Sequence, residues 1–201
     1  MRSAEGRSGQ MTLFLIGMIL FIGAHLIPAL TSIKQKVAES SGVLAGKALV
    51  AVPSLVGLFL IIWGYSDAKA VSSTLYLPPE WLKHITWLLM WPALIVLTTS
   101  NLHGRISKAV QHPQLLAVKI WAFAHLLSNG LLAQVILFGG FLAWAVIARI
   151  SAKKRQRAGV LNPAPGGPLR NDLIAVAAGT VLYVVFLLWA HEWLFGVSPT
   201  G

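Results

Sequence analysis

MTLFLIGMILFIGAHLIPAL, residues 11–30, runs for 20 positions without an acid, a lysine or an arginine. About 20 apolar residues in helical conformation cross the hydrocarbon core of a bilayer. A cleaved leader has a shorter apolar core, roughly 7–15 residues. The run also contains His25 and Pro28, so it reads as a retained span.

The rest of the chain has the same character. Of 201 residues, 56% are hydrophobic and 11% charged, and the mean hydropathy is +0.73. A soluble domain of this size leaves roughly a third of its chain surface in water. This composition has too little polar surface to cover that area. Six apolar segments are expected: Met11–Leu30, Ala45–Tyr65, Trp81–Asn101, Pro113–Leu127, Leu131–Arg149 and Asp172–Leu194. The fold class is therefore all-α, a polytopic membrane bundle of about six transmembrane helices. The fourth segment is short and holds Lys119, so a re-entrant or interfacial segment is its alternative. Residues 1–10 are expected as a disordered tail and 11–197 as the membrane domain. Residues 151–169 form a flexible basic loop rich in proline and glycine. Asn171 or Asp172 is expected to cap the last helix, and Ala175 with Gly179 makes a small-residue pair suited to close helix contact.

The net charge of +10 has a simple source. With six spans, eleven Lys and Arg fall on the side of the 1–2, 3–4 and 5–6 loops, and four fall on the other. The bias puts the eleven in the cytoplasm and both termini outside it. These bases flank apolar segments without interleaved aromatics, so the expected partner is the lipid bilayer and no nucleic acid. There is no cysteine, which removes disulfides, thiolate metal sites and covalently attached c-type haem.

All six acids, Glu5, Glu39, Asp67, Glu80, Asp172 and Glu192, lie at or beyond expected helix ends. Ion-coupled transporters place such groups at mid-membrane, and carboxylate di-iron sites need clusters of them. Histidine is what remains inside: His25 and His125 within spans, His84 and His191 near span ends. His103 and His112 belong to a loop. An imidazole in hydrocarbon needs a partner. A backbone carbonyl serves, and so does a haem iron, for which neutral imidazole is a common ligand. Trp121, His125 and Asn129 follow one another at one-turn spacing and share a face, either of a lined pocket or of ordinary packing. Lys119 either snorkels to the headgroups or faces an anion such as a haem propionate.

The stretch HPQLLAVKIWAFAHLLSNG, residues 112–130, resembles the signature of the NnrU family of bacterial membrane proteins. So do Gly23–Pro28, Trp63–Tyr65, Leu89–Pro92, Phe138–Trp144 and Arg170–Ala175. The resemblance implies a bacterial inner-membrane protein with periplasmic termini, linked to denitrification through nitrite or nitric oxide reductase activity or expression. Respiratory reductase components are then possible partners. It also implies kinship with 15-cis-zeta-carotene isomerase, a haem b membrane enzyme acting on a hydrophobic small molecule. The relative's haem ligands correspond to His25 and His125, and His112 to a further family histidine. The expected cofactor is haem b, with His25, His125, His112, Trp121, Asn129 and Lys119 around it. Where the relative has a cysteine near the second ligand, this chain has Ala122. A third reading is a non-catalytic assembly or regulatory factor.

One tension is internal to the sequence. At 1.5 Å per residue, His25 and His125 sit at heights differing by about 10 Å. His84 or His191 with His125 is the geometric alternative. The charge bias itself is checked by C-terminal reporter fusions: alkaline phosphatase is expected to be active there and a fluorescent protein dark. The reverse pattern refutes the orientation.

Overall fold

The computed structural model describes residues 4–27 and 39–200. The expected end of the first span at Leu30 and the bases Arg2, Lys34 and Lys36 lie outside the described residues. Among those described, the architecture is all-helical: α1 Ala4–Leu26, α2 Val43–Ala70, α3 Leu82–Thr98, α4 Arg105–Val110, α5 Pro113–Ser128, α6 Leu132–Arg157 and α7 Leu169–Val185. A π-helical turn, Phe186–Ala190, then leads into α8, His191–Phe195.

Three helical stretches are long and apolar enough to cross a membrane: Val43–Ala70, Leu132–Arg157 and Leu169–Phe195. Met11–Leu26 and Leu82–Thr98 are apolar but shorter. α5 spans 16 residues with Lys119 inside. Length and apolarity alone thus support three spans among the described residues, against the six expected.

The chain divides into two compact units, residues 1–77 with 130–144, and residues 78–129 with 145–201. In the first unit α1 lies along α2. Glycines let their backbones meet: a Cβ on Gly17 would fall 2.8 Å from Gly57 O, and one on Gly57 would fall 2.7 Å from Phe21 N. Phe14, Met18, Ile61, Ala68 and Ala133 form the core there, with Tyr65 and Phe141 against it. The start of α6 is tied to the chain after α2, where Leu132 N–H donates to Ser73 O at 2.9 Å and Ala133 N–H to Ser72 Oγ at 3.0 Å. Leu131 N–H donates to the Gln134 side chain at 3.1 Å. These bonds occupy amides at a helix start that its own turns cannot satisfy.

In the second unit α3 packs against both α5 and α7. Hydroxyls make the cross-links. Thr86 Oγ1 donates to Ala124 O at 2.8 Å, Thr98 Oγ1 to Ala175 O at 2.8 Å, and Trp91 Nε1 to Thr180 Oγ1 at 3.0 Å. The Ala175–Gly179 pair does what its spacing implied. Ala175 is fully buried, and a Cβ on Gly179 would lie 2.5 Å from Ile95 Cα.

Several boundaries differ from expectation. α1 starts at Ala4, so residues 4–10 continue the helix. α6 runs on to Arg157, so the basic residues from Lys153 onward are its last turns and not loop. Lys and Arg are good helix formers, and their charges favour a helix C-terminus. The break comes only at Gly159, with φ 71°. Asp172 does not cap its own helix, whose cap position is Pro168. Its carboxylate instead accepts from Arg105 N–H at 2.9 Å and Ile106 N–H at 3.0 Å, capping α4 from 66 residues away. α4 lies between the third and fourth expected segments, where a loop is expected. At 5% exposure Asp172 is buried, and a Cβ on Gly104 would overlap its Oδ1. Asp172→Ala strands two amides and is expected to destabilise the purified protein by about 2–3 kcal/mol. The exposed control Arg170→Ala should stay within about 0.5 kcal/mol. Tryptophan-fluorescence melting in detergent reads both.

Candidate functional site

Four histidines sit on or at the apolar helices, and each bonds through Nδ1 to a backbone carbonyl. The Nδ1–H of His25 donates to Phe21 O at 2.8 Å, that of His125 to Trp121 O at 2.9 Å, and that of His84 to Trp81 O at 3.3 Å. His191 Nδ1–H donates to Val197 O at 2.7 Å, across the end of α8. A carbonyl oxygen only accepts, so Nδ1 carries the proton in all four. The neutral tautomer then puts the lone pair on Nε2, as in most metal-ligating histidines, whose other nitrogen is held by a backbone carbonyl. The same bond is also the simple way to satisfy an imidazole among helices. What separates the four is their surroundings.

His25 belongs to the first unit, where aromatic rings enclose it. Phe21 stacks on it at 4.3 Å between centroids, and Trp144 meets it edge-on at 5.4 Å. Ser54 Oγ lies 3.4 Å from Nδ1, and Trp144 Nε1 donates to the His25 carbonyl at 3.3 Å. His84 is exposed and touches Trp87.

His125 belongs to the second unit, and there it has another imidazole beside it. Its ring centroid lies 6.5 Å from that of His191, with the planes 21° apart. Trp121 leans on His125 at 5.4 Å, and Asn129 Nδ2 donates to the His125 carbonyl at 2.8 Å. The Trp121–His125–Asn129 face read from the sequence is therefore a continuous contact. His191 meets Phe195 at 5.0 Å. The π-turn decides where His191 points. One extra residue per turn rotates everything after it by about 100° about the helix axis, and such turns recur at functional sites. The sequence offered His191 only as an alternative, because nothing in residue spacing marks a π-turn. Among the described residues, no group of three or more His, Asp or Glu could hold a bare metal ion.

His112 and Lys119 lie apart from that pair, in the basic end of the second unit. His112 is the residue before Pro113 at the start of α5. Burial, then the charges of Arg149, Lys153 and Arg155, hold its pKa below the usual 6.5, partly offset by the Gln156 side chain. Arg149 and Lys153 also act on Lys119. Of the six expected cofactor residues, the structure brings together His125, Trp121 and Asn129. It links His112 and Lys119 through shared basic neighbours and leaves His25 in the first unit.

The His112 environment has a pH consequence. Its folded-state pKa lies below the unfolded value, so the unfolded chain takes up the proton first as pH falls. Stability is therefore whole above about pH 6.5 and declines below it. The thermal midpoint should fall less between pH 7 and pH 5 in His112→Asn than in the unmodified protein. An equal fall in both would show that His112 does not carry the effect.

No curated protein and no solved structure matches the chain significantly. One protein-family model, described as NnrU protein, does match, over residues 13–199. That range holds every helix from the core of α1 to the end of α8, together with both histidine settings and the basic end. The chain belongs to the NnrU family.

Proposed function

We propose that the protein is a haem b-binding, multi-pass inner-membrane member of the NnrU family, serving nitrogen-oxide respiration, with His125 and His191 as the residues that would hold the haem. The single observation behind this reading is the spacing of those two rings. Two metal–nitrogen bonds of about 2 Å, plus about 1 Å from each nitrogen to its ring centre, set bis-imidazole centroids roughly 6 Å apart. The observed 6.5 Å, with planes 21° apart, fits that arrangement. Both rings have Nδ1 committed to a backbone carbonyl, which selects Nε2 as the ligating nitrogen.

When bound, haem supplies one-electron chemistry whose potential depends on its ligands and the polarity around them. The residues of the chain do the positioning. The Trp121 carbonyl fixes the rotation of the His125 ring, and the Val197 carbonyl fixes that of His191. The Trp121 ring closes one side of His125. α5, which carries His125, has no carboxylate, while Glu192 follows His191 in α8. The relative's isomerase activity on a hydrophobic substrate is the alternative. Ala122, fully buried, has no sulfur to exchange with histidine at iron, which counts against that mechanism.

Visible spectra of the protein purified from haem-replete cells test the reading. A Soret band with a low-spin bis-imidazole shape is expected. It should be lost in His125→Ala and in His191→Ala, and retained in His25→Ala. Loss in His25→Ala with retention in His191→Ala would replace this pair by the one the family resemblance implies. A colourless protein that still restores nitrogen-oxide respiration to a deletion strain would favour an assembly or regulatory factor.

A further inference from the structure

The basic end of the second unit holds hydrogen-bond donors with nothing to donate to. Arg149 Nη1 and Arg155 Nε are buried donors without a partner among the described residues, and His112 Nε2 is buried near them, with the Gln156 side chain acting on its ring. A stranded donor costs about 1–3 kcal/mol, and more when it belongs to a charged group. Two such guanidinium donors near one imidazole are not explained by membrane orientation, which needs only exposed bases near span ends.

The scaffold around them is well defined. Arg149 Nη2 donates to Val110 O at 3.2 Å, which holds the guanidinium and leaves its other terminal nitrogen pointing elsewhere. Val110 O also accepts from His112 N–H at 2.9 Å, closing a three-residue γ-turn around Gln111 at φ 68° and ψ −41°. Gln111 is the only positive-φ residue other than glycine among those described. That conformation is strained for a side-chain-bearing residue, and strain of this kind concentrates at binding sites. Gln111 Oε1 accepts from Gln156 Nε2 at 2.8 Å and from Ala164 N–H at 3.1 Å, tying α6 and the segment after it to the turn. Arg155 sits where that segment folds back, its carbonyl accepting from Val160 N–H at 2.9 Å. On the other side, Gln111 lines a hollow of about 590 Å³ with the exposed Arg105 and Lys108 and the backbone at Gly166 and Gly167.

The charge has one sign. Arg149, Lys153 and Arg155 all act on His112, and Arg149 and Lys153 act on Lys119. Residues 105–119 and 149–167 contain no acid at all. Asp172, whose carboxylate reaches α4, is committed to its amides. Planar guanidinium groups are matched by oxyanions, above all by phosphate, which accepts several charge-assisted bonds at once.

We propose that this end of the protein is a binding site for one phosphate group, with Arg149 and Arg155 as its ligating donors, His112 near them, and Arg105 and Lys108 at the adjoining hollow. The phosphate is either that of an anionic phospholipid headgroup or a soluble one, which share the same chemistry. Lys119 and Lys153 supply long-range attraction. The site does not depend on haem, and its loss leaves His125 and His191 untouched.

Thermal unfolding of the full-length protein in neutral detergent tests this. One arm titrates inorganic phosphate against chloride at matched ionic strength. The other adds phosphatidylglycerol to the micelles. Saturable stabilisation is expected in at least one arm: in the lipid arm alone for a headgroup site, in the phosphate arm for a soluble ligand. Arg149→Gln with Arg155→Gln should raise the apparent Kd at least about tenfold. Arg149→Lys with Arg155→Lys should also weaken binding, because the charge stays but the planar fork is lost. The single variant Arg155→Gln, least entangled with the fold, serves if the double variant does not fold. Lys154→Gln with Arg157→Gln removes equal charge from the same helix end and should leave binding within about twofold. The proposal is overturned if neither arm exceeds chloride, or if the Lys154/Arg157 control weakens binding as much as the Arg149/Arg155 pair.

Discussion

In an apolar surrounding, every N–H, C=O and hydroxyl of this chain has to be satisfied by the chain itself. That requirement explains its long-range hydrogen bonds better than any local propensity does. Ser72 Oγ and the Ser73 carbonyl receive the first amides of α6. Asp172 receives the first amides of α4. Thr86 and Thr98 reach from α3 to carbonyls of α5 and α7. Each is a short polar side chain placed where a helix end or a close neighbour leaves a group open.

Such bonds form only if the helices come close, and small residues allow that. In the first unit Gly17 and Gly57 bring α1 and α2 to backbone contact. In the second, Ala175 and Gly179 do the same for α7 against α3. Without a hydrophobic driving force between helices in lipid, close van der Waals contact and interhelical hydrogen bonds are what hold a bundle together. The consequence for chemistry is direct. α3 packs against both α5 and α7, and these two helices carry His125 and lead to His191.

The second unit thus presents two polar settings of opposite kind. The imidazole pair sends its Nδ1 hydrogen bonds to backbone carbonyls. The basic end has charge in excess and donors left over. The first setting suits a neutral metal-ligating pair, the second an anion. Their separation along α5, from His112 at its start to His125 in its last turn, keeps the cations away from the imidazoles.

Much was legible in the residues themselves. The apolar runs dictated helices, because a backbone surrounded by hydrocarbon has few other ways to satisfy itself. One-turn spacing put Trp121, His125 and Asn129 on one face, and the Ala175–Gly179 spacing marked a close contact. Both are local consequences of helical periodicity. The tertiary structure alone decided that Asp172 serves a helix 66 residues away and that two guanidinium donors at the basic end lack acceptors. It also decided, through one π-turn, that His191 stands beside His125. None of these follows from periodicity, because each depends on which distant groups the packed helices bring near one another.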